Sequence, residues 1–152
     1  MKIISKNRKA LHDYFILEKL EAGVSLQGTE VKSVRLGHIN IKDSWCSFKN
    51  GEMFANNVHI SPYEKGNIFN VDPKRSKKLL VHKKEALQLY GQYKQTGLSI
   101  VVLSVYLVKK YIKFEIALCK GKKQYDKRAS KAKQESERKI KRAIKERLKM
   151  NR

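Results

Sequence analysis

His12 stands beside Asp13, the two groups that a general base and its orienting carboxylate would require. Neighbours on an extended segment point to opposite sides, so adjacency alone does not make them a dyad. Glu18, Glu21 and Glu30 are carboxylates that a metal-dependent nuclease could use, yet no second carboxylate cluster joins them in sequence. Folding would have to bring Asp43 or Asp72 to them. His38, His59 and His82 are isolated, and surface or core roles account for them. No GxxxxGK[ST] loop, GxGxxG turn or HExxH helix occurs. Cys46 and Cys119 lie far apart and neither belongs to a CxxC pair, which argues against zinc. Both fall in apolar strand-like stretches and are expected to be buried thiols in a reducing cytoplasm. These residues point to no catalytic site, no metal site and no cofactor.

The chemistry that the sequence does carry is charge. The 152 residues include 35 Lys and Arg against 14 Asp and Glu, a formal net charge of +21. A small soluble domain typically carries roughly 2 to 8 units. Self-repulsion on that scale is relieved by a polyanion, either nucleic acid or an anionic membrane. The longest apolar run, Ser99 to Val108, is about half of what a membrane-spanning helix needs. The first residues, Met1-Lys2-Ile3-Ile4-Ser5-Lys6, lack the apolar stretch of a signal peptide, so the expected location is cytoplasmic.

The charge divides the chain. Met1 to Cys119 holds 20 basic and 10 acidic residues, and Lys120 to Arg152 holds 15 and 4. About a fifth of the chain thus carries half the net charge. After Tyr125 the large apolar side chains are Ile140, Ile144, Leu148 and Met150 alone. The expectation is a globular domain over residues 1–120 and a basic tail over 121–152.

The globular part reads mainly as strands. Tyr14 to Leu20 is apolar and aromatic. Asp43 to Lys49 and Glu52 to Ile60 flank Asn50-Gly51, the pair that best tolerates the positive φ angles of a two-residue hairpin turn. In the second arm Phe54, Val58 and Ile60 are expected on one face. Leu98 to Val108 and Tyr111 to Leu118 form a second hairpin about Lys109-Lys110, with Ile112, Phe114, Ile116 and Leu118 inward and Lys113 outward. Thr29 to Leu36, stopped by Gly37, and Lys83 to Lys94, before Gly97, read as helices, although Gly91 weakens the second. Asn67 to Leu80 reads as a basic loop ending in two leucines. Five or six strands with two to three flanking helices suggest a small barrel of the oligonucleotide-binding type.

The tail has helix-forming composition, with Ile140, Ile144 and Leu148 four residues apart. One such stripe builds no core, and like charges four apart oppose an isolated helix. The tail is therefore expected to be disordered when free and helical once phosphates neutralise it. A solvated tail without a role is the plain alternative. An interfacial membrane helix fits less well, because the stripe is narrow and lacks Trp or Phe.

Four local sequences narrow the reading further. Gly28 to Gly37 follows G-x-E-V-K-S with a later R-x-G. Asn57 to Tyr63 reads N-x-x-I-x-P-Y, Asp72 to Leu80 reads D-P-x-R-x-x-K-L-L, and Gly121 to Arg128 reads G-K-K-x-Y-D-K-R. In this order and spacing they resemble the family of the SsrA-binding protein, or small protein B, over nearly the whole chain. The resemblance implies an oligonucleotide-binding barrel that binds the tRNA-like domain of transfer-messenger RNA and carries it to stalled ribosomes. It implies a tail that becomes helical in the empty message channel at the small-subunit decoding centre, contacts with elongation factor Tu, and no chemistry by the protein itself.

Carried over by position, Asn7, Lys9, Glu21, Leu80 and Lys113 match family positions associated with RNA. Lys122, Lys123, Tyr125, Asp126, Lys127 and Arg128 lie in the segment that reaches the decoding centre. Tyr125 replaces a His found in some relatives, which keeps a stacking ring but not an imidazole charge. The residue types agree in part. Lys9, Lys32, Arg35, Lys78 and Lys113 can neutralise phosphate, Asn7 can read base or sugar edges, and Tyr125 can stack on a base or close the barrel. Glu21 and Leu80 attract no phosphate. They could accept from a base amine and cover an unstacked base, or serve the fold alone. A structural component of the ribosome would share the small size, basic charge and tail.

Overall fold

The computed structural model describes residues 1–65, 70–95, 97–122 and 124–150. Of residues 124–127, 129–130, 146 and 148–150 it describes the backbone alone. The chain forms two compact units, Met1–Gly121 and Lys122–Arg152.

In the first unit, β1 (Lys2–Lys6) leads into the short helix α1 (Arg8–Asp13) and then β2 (Tyr14–Val24). Helix α2 (Gly28–Arg35), β3 (Ile39–Asn40), β4 (Trp45–Lys49), β5 (Glu52–Asn56), β6 (His59–Ile60) and β7 (Lys77–Leu80) follow. Helix α3 (Lys83–Tyr93) precedes β8 (Leu98–Val108) and β9 (Tyr111–Gly121). Seven strands make one antiparallel sheet in the order β1-β8-β9-β2-β7-β5-β4, and β3 pairs with β6. The sheet curls until β4 lies beside β8. Register shifts in β2 between Ile16 and Glu18 and in β8 between Val102 and Ser104 supply the bends that curling needs.

The turns follow from their residues. Asn50 and Gly51 both have positive φ, 53° and 77°, so β4 and β5 meet in a tight hairpin. Lys109 also has positive φ at the tip of β8–β9. Gly37, at φ 83°, ends α2, and its N–H donates to the Val34 carbonyl at 2.9 Å.

The main core gathers Phe114, Ile116 and Leu118 from β9, Ile100, Val102 and Val105 from β8, and Met53 and Ala55 from β5. Phe114 is wholly buried, and truncating it to Ala would cost about 3–5 kcal/mol. A second cluster under α1 joins Ala10, Val101, Leu103, Ala117 and Cys119. At that end β8 is therefore covered on both faces, which explains its near-continuous apolar run. Cys46 and Cys119 are buried free thiols. Burial pushes both up, Cys119 to about 11, so both stay protonated.

Three local expectations change. The stretch ending in Leu79-Leu80 is not loop to its end: β7 lies between β2 and β5. In β5 it is Met53 and Ala55 that face inward, with Phe54 half-buried. Cross-strand pairing with Phe48 and Cys46 fixes that phase. Asn57, at φ 56°, then resets it, so that Val58 and Ile60 are buried. Finally, His12 and Asp13 do touch, Nδ1 to Oδ1 at 2.9 Å, because they end a helix rather than lie on a strand.

The second unit is helix α4, Gln124–Met150, about 40 Å long. Its Lys, Arg, Glu and Ala content favours helix, and Glu135 and Glu137 precede Lys139 and Lys141 by four residues, the favourable orientation. Ile140 and Ile144 are 60% and 55% exposed, so this stripe packs on nothing within the unit.

Candidate nucleic-acid interface

Strand pairing sets four side chains expected to meet RNA into one surface. On β7 Leu80 stands opposite Gly23 of β2, and Gly23 stands opposite Lys113 of β9. Glu21 lies two residues before Gly23, on the same face. Lys78 lies two before Leu80. Beyond β7 the chain enters α3, and the Asn50-Gly51 turn closes the other side. The result is an open groove of about 880 Å³ whose walls include Glu21, Lys78, Leu80, His82, Lys83 and Lys113.

The groove mixes three chemistries. Lys113 and Lys83 offer charge to phosphate. Lys78 is paired with Glu52 at 3.1 Å across half-exposed side chains, a contact worth little in water and easily exchanged. Leu80 is 53% exposed although it follows a buried leucine, which suits a surface that covers an unstacked base. Gly23 leaves the floor bare. A Cβ there would come within 3.2 Å of the Leu80 Cβ, so the glycine lets the neighbouring strand present Leu80 without crowding. Sequence reasoning missed Gly23, although a glycine inside a strand is a recognised sign of close approach. It also missed Tyr106, buried on β8 opposite Lys113. Burial, with the carboxylates of Glu21 and Glu115 nearby, pushes its phenol well above its usual range, hence neutral.

The remaining barrel residues lie elsewhere. Asn7 is 2% exposed. Its amide donates to the carbonyls of Ile41 and Val102, both at 2.9 Å, and its Oδ1 accepts from the Ala10 N–H at 3.1 Å as the cap of α1. No edge remains to read a base, so Asn7 acts by tying three segments together. Lys9 is exposed and paired with Asp43 at 2.7 Å. The pairing raises the lysine and lowers the carboxyl from their ordinary values. Lys9, Lys42 and the half-exposed Trp45 share a cleft of about 310 Å³, at the end of β2 remote from the groove. Lys32 lies over the Tyr63 ring at 5.4 Å, and Arg35 donates to the Lys110 carbonyl at 3.3 Å. Both stay exposed.

The motifs behind the family resemblance prove largely to be anchors of the fold. Glu30, 4% exposed, is held by the Arg75 guanidinium and accepts from the Gln27 N–H at 2.8 Å. The first motif is thus bolted to the third. Asn57 donates to the Asp43 carbonyl at 3.0 Å, and Asp72 accepts from the Lys74 N–H at 2.9 Å to start a turn. Inside it, Lys77 is wholly buried and its Nζ donates to the carbonyls of Val58, Arg75 and Pro73. Burial, with Arg75 adding to it, pulls its pKa down to about 8 against the opposing pull of Glu30.

In the second unit Lys122 is half-buried and Arg128 exposed. Lys123 lies outside the described residues, as do Gly66 to Phe69 of the basic loop and the side chains of Tyr125, Asp126 and Lys127. Among the described residues no group of three or more His, Cys, Asp and Glu is placed to hold a metal ion. The described helices include none long and apolar enough to cross a membrane.

A curled antiparallel barrel with a basic, leucine-edged groove, next in sequence to a strongly basic helix, defines a small protein of the oligonucleotide-binding type. The chain belongs to the SmpB protein family, whose pattern matches residues 4–146. It is 56% identical over 148 residues to the SsrA-binding protein of Caldicellulosiruptor bescii, covering 97% of this chain and 94% of the relative. To the SsrA-binding protein of Enterococcus faecalis it is 55% identical over 144 residues, covering 95% and 94%. It also resembles a chain from the solved structure "tmRNA-SmpB: a journey to the center of the bacterial ribosome", with a TM-score of 0.68 and 47% identity over 79% of this chain and 85% of that one.

Proposed function

We propose that this protein is an RNA-binding adaptor that binds transfer-messenger RNA and delivers it to stalled ribosomes for trans-translation. There the incomplete peptide is tagged and the ribosome released. The observation that carries this reading is the family match, which runs from β1 through α4 rather than over the barrel alone.

The two units suit two kinds of contact. The groove, with Glu21, Leu80 and Lys113, recognises the folded tRNA-like domain by shape and a few base edges. The tail follows later. Its density of Lys and Arg suits a channel walled by phosphate, and α4 is the helix that would occupy the empty message path beside the decoding centre. Tyr125 would stack there, with Lys122, Lys123, Asp126, Lys127 and Arg128 around it. Neutralisation by RNA would make the tail helix persistent. Elongation factor Tu is a further partner on this reading, the setting is the cytoplasm, and the protein performs no catalysis.

The test titrates labelled transfer-messenger RNA with the full chain at physiological salt, against excess bulk tRNA. Nanomolar binding that survives the competitor supports the adaptor. Binding erased by it would mean that charge alone explains the affinity, and a structural ribosomal protein would then be the better reading. Deleting residues after Gly121 should spare RNA binding but abolish tagging, since unit one carries its own core. Loss of most RNA affinity on truncation would refute the division of labour.

A further inference from the structure

The Asn50-Gly51 turn borders two cavities at once. On one side it closes the groove that holds Glu21, Leu80 and Lys113. On the other it bounds a smaller cavity of about 200 Å³ walled by Phe48, Leu87 and Tyr90. Ala86 lines both as well, so the small cavity adjoins the groove between the β4–β5 turn and α3. Pockets for drug-sized ligands run from roughly 300 to 1,000 Å³. A space of about 200 Å³ takes a single flat ring system.

The walls suit such a ring. Phe48 and Tyr90 meet edge to face, with centroids 5.0 Å apart and planes at 62°, and Tyr93 braces Phe48 at 5.3 Å. Phe48 is thereby held against the core, while Tyr90 is 38% exposed. Leu87 lies three residues before Tyr90, on the same face of α3, and is 59% exposed. Together they leave an apolar surface uncovered beside the groove. The cations indicate what covers it. Lys94 holds its Nζ over the Tyr90 ring, 4.4 Å from the centroid. Lys49 stands in the cavity wall, and Lys83 in the wall of the adjoining groove. Of the nearby carboxylates, Glu52 is paired with Lys78 and Glu85 lies on the groove side. Apolar rings flanked by lysines match a nucleotide, whose base is flat and whose phosphate is an anion. An apolar side chain of a protein partner would use the walls but not the lysines.

We infer that the cavity between Phe48, Leu87 and Tyr90 is a base-binding subsite of the groove: it receives one unpaired base of the bound RNA, with Lys49 and Lys94 set to meet the phosphates beside it. The groove holds the folded part of the RNA, and a nucleotide leaving it at the Asn50-Gly51 turn places its base against Tyr90. Recognition here is by stacking and shape, so the subsite selects an unpaired base over a paired one rather than one base over another. The inference rests on the groove facing RNA.

The test uses the full chain with Leu87→Gln, Tyr90→Leu and Tyr90→Phe, beside the groove variants Leu80→Ala and Lys113→Ala. Thermal melts choose a temperature at which every variant is folded. Labelled transfer-messenger RNA is the probe, and chemical modification of its unpaired bases is read in each complex. Tyr90→Leu is expected to weaken binding about five- to hundredfold with an unchanged salt slope. Leu87→Gln should weaken it several-fold, and Tyr90→Phe should bind like the wild type because the ring stays. One unpaired base should be shielded from modification by the wild type and reactive again with Tyr90→Leu, while shielding elsewhere persists. Losses at Leu80→Ala and Lys113→Ala without any at Leu87→Gln and Tyr90→Leu would overturn the inference and leave the groove reading standing. No loss in any variant would overturn both. Wild-type RNA binding with failed tagging in Leu87→Gln would mean that a protein side chain fills the cavity, which overturns the inference equally.

Discussion

Replacing Asn7 by Ala separates a fold residue from an RNA-reading one. The side chain makes three bonds inside the protein. Loss of the cap on α1 costs about 1 kcal/mol. The carbonyls of Ile41 and Val102 each lose a donor in a place water reaches poorly, and each is worth about 1 kcal/mol net. The total is about 3 kcal/mol, shared among β1–α1, the β3–β4 connection and β8. For a unit of this size, each kcal/mol moves the melting temperature by about 4 °C, so calorimetry should find a fall of about 12 °C. An RNA titration at 10 °C, where the variant remains folded, should give an affinity within about twofold of wild type. Asn7→Asp should be worse, because it sets carboxylate oxygens against the two carbonyls. An Asn7→Ala protein with an unchanged melting temperature and a tenfold weaker grip on RNA would refute the assignment.

Three further outcomes follow from the same geometry. Lys77 has its pKa pulled from 10.5 to about 8, so its ammonium is less favoured folded than unfolded. That cost is full below pH 8 and is relieved as pH rises from about 8 to 10.5, where the unfolded chain binds more protons. Urea midpoints should show this group adding up to about 3 kcal/mol across that window, and Lys77→Met should lose that rise; an identical rise in the variant would contradict the argument. Glu30→Gln breaks the buried pair with Arg75 and should destabilise by about 3–5 kcal/mol, with Arg75→Met adding far less than its own effect in a denaturant series. Gly23→Ala should change stability by less than about 1 kcal/mol, since better strand propensity offsets the crowding. In titrations over a salt series it should weaken RNA binding several-fold with an unchanged slope; wild-type affinity would mean that neither the bare floor nor the pose of Leu80 matters.

Much of the architecture was legible because it rests on local rules. Asn50-Gly51 specifies its hairpin through two positive φ angles, and Ile112 to Leu118 specifies the inward face of β9 through period-two alternation. The helix at Lys83 was legible too, since Ala86, Leu89 and Tyr93 share a face that outweighs one interior glycine. Elements that escaped were short or atypical. Strand β7 alternates buried and exposed residues, but one of the buried ones is Lys77, so no apolar alternation shows in the sequence, and β1 fully buries none of its five residues. The phase of β5 was misread because Asn57 resets the alternation, and a chain reader cannot see where an extra residue is absorbed.

The amino-acid sequence by itself determined that this protein must meet a polyanion, that its charge is concentrated past residue 120, and which family its motifs belong to. These depend on composition and on residues adjacent in the chain. Which residues share one surface was decided by tertiary structure alone. Glu21, Leu80 and Lys113 come from three strands and share a groove only because Gly23 pairs with Leu80 on one side and Lys113 on the other. Asn7 and Glu30 have types that read equally well as contacts or as supports. Burial settles them as supports, and burial is a property of what folds around a side chain, not of the side chain.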